Sequence, residues 1–242
     1  MALLECRQVS LAFGGARVLD NVDITAAAGA ITGLIGPNGA GKTTLFNCIT
    51  GLLQPSTGAV LLDGTDITRL APFERSRMGV ARTFQRLELF TSLSVRDNIR
   101  VAGEIAVRWQ RPRTDPQREA DRVLEQLGIS HLADRDITQI PTGMARRVEV
   151  GRALMTRPKI LLLDEPASGQ DERETEEFGD LLLELCAAGT AILLVEHDVS
   201  LVMKVCSHVH ALDFGSVIAA GTPGEIQRNR LVLEAYLGVE PT

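Results

Sequence analysis

Gly36-Pro37-Asn38-Gly39-Ala40-Gly41-Lys42-Thr43 fits the phosphate-binding loop pattern G-x-x-x-x-G-K-[ST] at every position. Glycines let a backbone wrap closely around an anion, because a side chain would block the approach. Successive N–H groups then face the concavity and bind phosphate oxygens. Upstream, Ala30-Ile-Thr-Gly-Leu-Ile35 is a short apolar run that reads as a buried strand. Downstream, from Thr44 to Leu53, apolar residues at 45, 49, 52 and 53 have helical spacing. A helix start beneath the phosphates adds its dipole to the site, and Thr44 belongs to the phosphate-facing set. Lys42 is placed to reach the β- and γ-phosphates, and the Thr43 hydroxyl to bind Mg²⁺. The alternative, a glycine-rich turn that happens to hold a lysine, does not account for the order strand, loop, helix.

The chain has 242 residues, long for one simple domain and short for two. One α/β core with an inserted subdomain fits that length. A hydrophobic content of 45% and a charged content of 23% are ordinary for a soluble globular protein. The net charge of −6 lacks the basic excess of a nucleic-acid binder, so no nucleic-acid partner is expected. Cys6, Cys48, Cys186 and Cys206 are scattered without a C-x-x-C pair and read as reduced thiols in a cytosolic protein. The first residues lack the basic start and apolar stretch of a signal peptide. No run approaches the roughly 20 apolar residues that span a bilayer. The expectation is a protein that does not cross a membrane but can dock to one that does.

Residues 3–35 read as β-rich: Val22 and Ile24 alternate with Asp23 and Thr25, and Asp63-Gly64 after Ala59-Val-Leu-Leu is a hairpin-turn signal. These predict a small antiparallel sheet beside the phosphate loop. Residues 93–157 read as mostly helical, with Ser94 and Asp97 as a capping pair and a polar loop over 108–116. A helix from Pro116 carries Ala120, Val123, Leu124 and Leu127 on one face, and another follows Gly143. Lys159-Ile-Leu-Leu-Leu163 and Ala191-Ile-Leu-Leu-Val195 read as central parallel strands, with an amphipathic helix over 172–185 between them. A last helix is expected near Leu231–Leu237.

Two acidic residues, Asp164 and Glu165, follow the first of those strands directly. Ligands of open α/β sheets bind at the carboxyl ends of strands. An Asp there can hold Mg²⁺ through water, and the adjacent Glu can polarise the water that attacks a γ-phosphate. Without the phosphate loop, the pair would simply open a turn. His197, after the second strand, is able to hydrogen-bond the same phosphate; by itself, an ordinary surface histidine is the simpler reading. Gln85 in Ala81-Arg-Thr-Phe-Gln85 is either a ligand for Mg²⁺ and the attacking water or a plain surface glutamine. His208 and His210 read as strand residues, because a third metal ligand is not visible.

The order phosphate loop, Gln85, Leu163-Asp164-Glu165-Pro166, Gly169-Gln-Asp171 and His197 resembles the ATP-binding subunit of an ABC transporter over nearly the whole chain. The resemblance implies a P-loop NTPase fold: a single ATP-binding domain over 1–242 with a mostly parallel central sheet, a small antiparallel β subdomain and a helical subdomain inserted at roughly 93–157. It implies ATP and Mg²⁺ as cofactors, Glu165, His197, Lys42 and Gln85 as catalytic residues, and Thr43, Gln85 and Asp164 toward the metal. Phe13 stands where the family places an aromatic that stacks on adenine; the competing reading is a strand-end core residue. Ile140-Pro-Thr-Gly-Met144 replaces the common Leu-Ser-Gly-Gly-Gln, which in the family reaches across a dimer to the partner's ATP. Pro141 removes a hydroxyl and an N–H, while Thr142 supplies a hydroxyl one position later and Gly143 is retained.

Pro141 with Arg146-Arg147 and an acidic residue, Arg82-Thr-Phe-Gln85, Val195-Glu-His-Asp198 and Gly221-Thr-Pro…Ala235-Tyr-Leu-Gly238 resembles the importers of branched-chain amino acids. Urea and amide importers share much of this pattern. Implied partners are integral membrane permease subunits, a second ATP-binding subunit, identical or related, and indirectly an extracytoplasmic solute-binding protein. The implied location is the cytoplasmic face of the membrane, with Phe84–Phe90 as the docking surface; Leu87, Leu89 and Phe90 either form that patch or pack inside the helical subdomain. A lipid or polysaccharide exporter shares most motifs but not the proline-type signature or the tail. A soluble ABC-type ATPase acting on DNA or ribosomes lacks support in charge and length. A GTPase needs Asn-Lys-x-Asp, and no Lys follows an Asn in this chain.

Overall fold

The computed structural model describes residues 2–109 and 114–237. The chain opens with a long antiparallel hairpin, β1 (Ala2–Phe13) and β2 (Ala16–Ala27), in which Val22 and Ile24 are buried and Asp23 is exposed. The phosphate loop lies between β3 (Ile31–Ile35) and α1 (Lys42–Thr50). There follow β4 (Thr57–Leu62), β5 (Thr65–Asp66), α2 (Pro72–Met78) and β6 (Val80–Arg82). Three helices come next, α3 (Val95–Ala106), α4 (Pro116–Gln126) and α5 (Thr142–Leu154). The order then alternates through β7 (Ile160–Asp164), α6 (Glu172–Ala187), β8 (Ala191–Val195), α7 (Val199–Val205) and β9 (His208–Asp213). It closes with β10 (Ser216–Gly221), α8 (Pro223–Gln227) and α9 (Arg230–Leu237).

The four-stranded sheet has the order β2-β1-β4-β5 and is antiparallel. Asp63 (φ 52°) and Gly64 (φ 73°) make its β4–β5 turn, as a two-residue hairpin with both central residues at positive φ demands. The six-stranded sheet runs β10-β9-β3-β8-β7-β6, parallel except for the β10 edge. All five residues of β3, β7 and β8 are buried, which is why these strands read as continuous apolar runs. Alternate residues point to opposite faces. Leu161, Leu163, Ile192 and Leu194 enter a core shared with Phe178 of α6 and Val95, Val123 and Val148 of the three-helix segment. Ile160, Leu162, Leu193 and Val195 enter a second core with Phe46 of α1 and the antiparallel sheet. This is a P-loop NTPase fold.

Helix starts follow their local chemistry. Ser94 Oγ accepts the Asp97 N–H at 3.1 Å, and Asp115 and Asp171 cap α4 and α6. The end of α1 departs from the expected helix through Leu53. Gly51 takes φ 81° and stops the helix, leaving Leu52 exposed beyond it. Arg75, buried, completes that stop by donating to the Cys48 and Ile49 carbonyls at 2.6 and 2.8 Å. Its charge meets the negative end of the helix dipole. Beside it, Arg77 lies over the Phe73 ring at 5.1 Å and over the Trp109 ring, just past α3, at 5.6 Å. Of the loop expected over 108–116, residues 110–113 lie outside the described residues, as does Gly238. All four cysteines are free.

Candidate functional site

In the six-stranded sheet β3 lies beside β8, and β8 beside β7. The residues that follow each strand therefore emerge side by side at one edge: the loop Gly36–Thr43, then Asp164 and Glu165, then Glu196 and His197. Asn38, Gly39, Ala40, Gly41, Lys42, Thr43 and Thr44 line a cavity of about 340 Å³ together with Gln85 and Glu165. Gly36 packs so closely on β9 that an added Cβ would collide with the Leu212 carbonyl oxygen. Lys42 is buried and arches back over the loop, its Nζ donating to Gly36 O at 2.6 Å and Pro37 O at 2.9 Å. Burial pushes the pKa of this ammonium down, and the Glu165 and Asp164 carboxylates oppose that. The start of α1 has no side-chain cap, so its dipole and amides are left for an anion.

Three candidate residues distant in sequence meet at Glu165. Its Oε1 lies 2.7 Å from His197 Nε2, and its Oε2 accepts from Gln85 Nε2 at 2.8 Å. The Glu165 backbone has φ 50°, a left-handed conformation, and its N–H donates to Val195 O at 2.9 Å. Such backbone strain persists where the surroundings over-determine it. Here the end of β8 holds the residue and aims its carboxylate at the cavity mouth.

Two residues beside this carboxylate, Glu196 and Arg82, were not singled out from sequence. Glu196 is 4% exposed, and its two oxygens accept the Ala167 N–H at 2.7 Å and the His197 N–H at 3.0 Å. It ties the turn after Glu165 to the histidine that faces Glu165. Burial pushes its pKa up, and the Glu165 charge adds to that. Asp164 is paired with Arg82 at 2.8 Å, the two side chains being 4% and 6% exposed. Arg82 also donates to Asn47 Oδ1 of α1 at 2.6 Å and lies between the Phe46 and Phe84 rings, at 5.4 and 5.1 Å from their centroids. Both residues stand inside motifs quoted above, but nothing in their spacing signals the partner.

Other candidates lie elsewhere. Phe13 ends β1 opposite Ala16, exposed, and is not among the residues lining the loop's cavity. Thr142 is exposed at the first position of α5, and Gly143 is buried against Glu174 of α6; neither lines that cavity. His208 and His210 stand on β9, with His210 bonded to the Thr25 backbone. Among the described residues no group of three or more His, Cys, Asp or Glu side chains is placed to hold a metal ion.

A second cavity, of about 320 Å³, lies where the Gln85 segment meets α5, with Arg82, Phe84, Glu88 and Arg152 among its lining. Arg146 holds this segment by donating to Phe84 O at 3.1 Å and Gln85 O at 2.6 Å, and pairs with Glu149 at 3.0 Å. Arg152 donates to Glu88 O and lies 4.8 Å from the Phe90 ring centroid. Leu87 and Phe90 are exposed, whereas Leu89 is half-buried against the helical core.

The ABC transporter family model matches residues 19–168, and that of the branched-chain amino acid ATP-binding cassette transporter matches residues 216–242. The chain is 36% identical to the high-affinity branched-chain amino acid transport ATP-binding protein BraF of Pseudomonas aeruginosa, over 98% of both chains. It is 37% identical to the corresponding protein LivG of Escherichia coli K12, again over 98% of both. The ADP conformation of MJ1267, an ATP-binding cassette of an ABC transporter, superposes with a TM-score of 0.87 at 32% identity, covering 98% of this chain and 99% of that one. With the phosphate loop, the Glu165 carboxylate and the fold in agreement, the chain belongs to the ABC transporter family of ATP-binding proteins and is an ATP hydrolase.

Proposed function

We propose that this ATPase powers an importer of branched-chain amino acids from the cytoplasmic face of a membrane. The observation that carries the reading is the match of residues 216–242 to the branched-chain amino acid transporter model, outside the stretch 19–168 that the general ABC transporter model matches. No helix among the described residues is long and apolar enough to cross a membrane, so the path for solute belongs to separate permease subunits. The groove between the Gln85 segment and α5 receives the permease, with Leu87 and Phe90 exposed beside it. Residues 93–157 act as the helical subdomain inserted in a single ATP-binding domain.

In the proposed cycle Lys42 moves from the loop carbonyls to the β- and γ-phosphates and neutralises their charge. Glu165, held between Gln85 and His197, accepts a proton from the attacking water. Its fixed orientation avoids reorganisation during the reaction. Phe13 stacks on the adenine. Thr142 and Gly143, remote from their own chain's loop, serve the ATP of a second copy or a related subunit. The donor set suits Mg²⁺, which favours one or two carboxylates plus phosphate oxygens and water over an all-protein cage. Arg82 donates to Oδ2 of Asp164, so the other carboxylate oxygen would be the one turned to the ion. Thr43, Asp164 and Gln85 would hold the ion, which when bound supplies charge neutralisation between the phosphates.

The test is purification of the tagged chain from its own membranes, followed by uptake of labelled leucine, isoleucine and valine into vesicles carrying the recovered complex. Polytopic permeases, an extracytoplasmic solute-binding protein and ATP-dependent uptake support the reading. Recovery of lipid- or polysaccharide-export components, or a complex that moves urea or amides instead, overturns the importer assignment and leaves the ATPase intact.

A further inference from the structure

Tyr236, on α9, is the only tyrosine in the chain. Its hydroxyl accepts the N–H of Gly36, the first residue of the phosphate loop, at 2.9 Å, across 200 positions of sequence. Gly36 follows directly on β3, whose last residue, Ile35, pairs with Ala211 of β9. The carbonyl of the same glycine accepts the Lys42 ammonium at 2.6 Å. One residue thus stands between the tail helix on one side and the phosphate-binding lysine on the other. Gly36 lies so close to β9 that a Cβ added there would collide with the Leu212 carbonyl oxygen. The tail helix is itself anchored, with Val232 buried in the helical-side core. The Tyr236 ring is partly exposed, and its partial burial pushes the phenol's pKa up.

We infer that Tyr236 is a positioning residue for the nucleotide site: through one hydroxyl, the C-terminal helix fixes Gly36 and thereby the resting place of the Lys42 ammonium. The inference rests on the reading of Gly36–Thr43 as the ATP phosphate site. It gives the segment that matches the branched-chain transporter model a physical task inside the nucleotide site. Without the hydroxyl, a partly buried amide at the loop entrance loses its acceptor, and the loop samples conformations that do not bind phosphate. The loss falls on binding and not on the chemical step, because Tyr236 is not among the contacts of Glu165, Gln85 or His197.

The test compares the full chain with Tyr236→Phe in titrations with Mg-ATP and Mg-ADP, in steady-state hydrolysis, and in amide hydrogen exchange without nucleotide. For Tyr236→Phe the dissociation constants and KM should rise about 3- to 10-fold, as expected for one hydrogen bond to a partly buried amide. At saturating ATP, kcat should stay within about twofold, and Tm should fall by less than about 3 °C. Exchange should quicken at Gly36 and not across β3 and β9. With 3-fluorotyrosine incorporated, the single fluorine resonance of the wild type should shift when Mg-ATP binds. Unchanged affinity and exchange overturn the inference. So does a general rise in exchange with a lowered Tm, which assigns the hydroxyl to global stability. Lys42→Ala run in parallel separates the two readings: if it binds ATP like the wild type, the phosphate-site reading itself fails and the inference falls with it.

Discussion

Glu165, the proposed base, stands at a sheet edge in a setting suited to that role. It has a strained backbone held by the neighbouring strand, and a polar side chain on each of its two oxygens. Lys42, the proposed phosphate ligand, is a buried cation whose Nζ donates to the Gly36 and Pro37 carbonyls. Lys42→Ala should weaken ATP binding by at least about 100-fold, since charged hydrogen bonds contribute about 1.5–3 kcal/mol each; equilibrium titration checks this. Glu196→Gln can satisfy only one of the Ala167 and His197 amides as an acceptor, so turnover should fall about 2- to 10-fold. Because burial holds the Glu196 pKa above 4.5, its contribution to stability is complete below that value and is lost as pH rises through the folded-state value. The Tm of Glu196→Gln relative to wild type should therefore climb as pH rises from about 4.5, which melting curves at several pH values measure directly. Glu196 and Arg82 were not legible as site residues. Their partners Ala167 and Asp164 are 29 and 82 positions away, and only the fold brings them together. The phosphate loop was legible because its function is encoded in eight consecutive backbone conformations.

At the scale of elements, α5 ties the Thr142–Gly143 helix start to the Gln85 segment. Its first residues are Thr142 and Gly143, and one turn later Arg146 grips the carbonyls of Phe84 and Gln85. A displacement of the helix is thus felt by the glutamine that faces Glu165. Arg146→Ala should leave the Glu149 carboxylate buried without its partner and lower stability by about 3–5 kcal/mol. The double change Arg146→Met with Glu149→Leu should recover most of that stability but not the ATPase rate, because the Gln85 segment stays untethered. Differential scanning calorimetry and hydrolysis assays on the two variants distinguish the effects. Strands β3, β7 and β8 were legible because burial on both faces leaves an unbroken apolar run. The end of α1 was not, because apolar Leu52 and Leu53 continue the helical pattern past a glycine whose φ stops the backbone. The plug that Arg75 puts on those carbonyls comes from another helix.

The whole molecule places the loop, Glu165 and His197 on one edge, and carries Thr142 and Gly143 outside that cavity. In the proposed cycle two copies complete each other's sites. Glu165→Gln, which removes the base while keeping the contacts of the loop, should bind ATP and accumulate as a closed dimer. Light scattering with and without Mg-ATP should show a doubling of mass, and a chain that stays monomeric in ATP would count against the shared interface. The antiparallel sheet and the alternation of strands and helices were legible from patterning alone. The closure of the tail onto Gly36 was not, because one hydroxyl carries it. At the opposite side of the α3 segment, the chain's one tryptophan, Trp109, rests on Arg77 of α2. That indole is a native fluorophore at the joint between the end of α3 and α2. Stacked on a guanidinium it emits in one environment, and hinged away into water it emits at longer wavelength. The unlabelled protein therefore carries its own optical gauge of any movement of the end of α3 against α2.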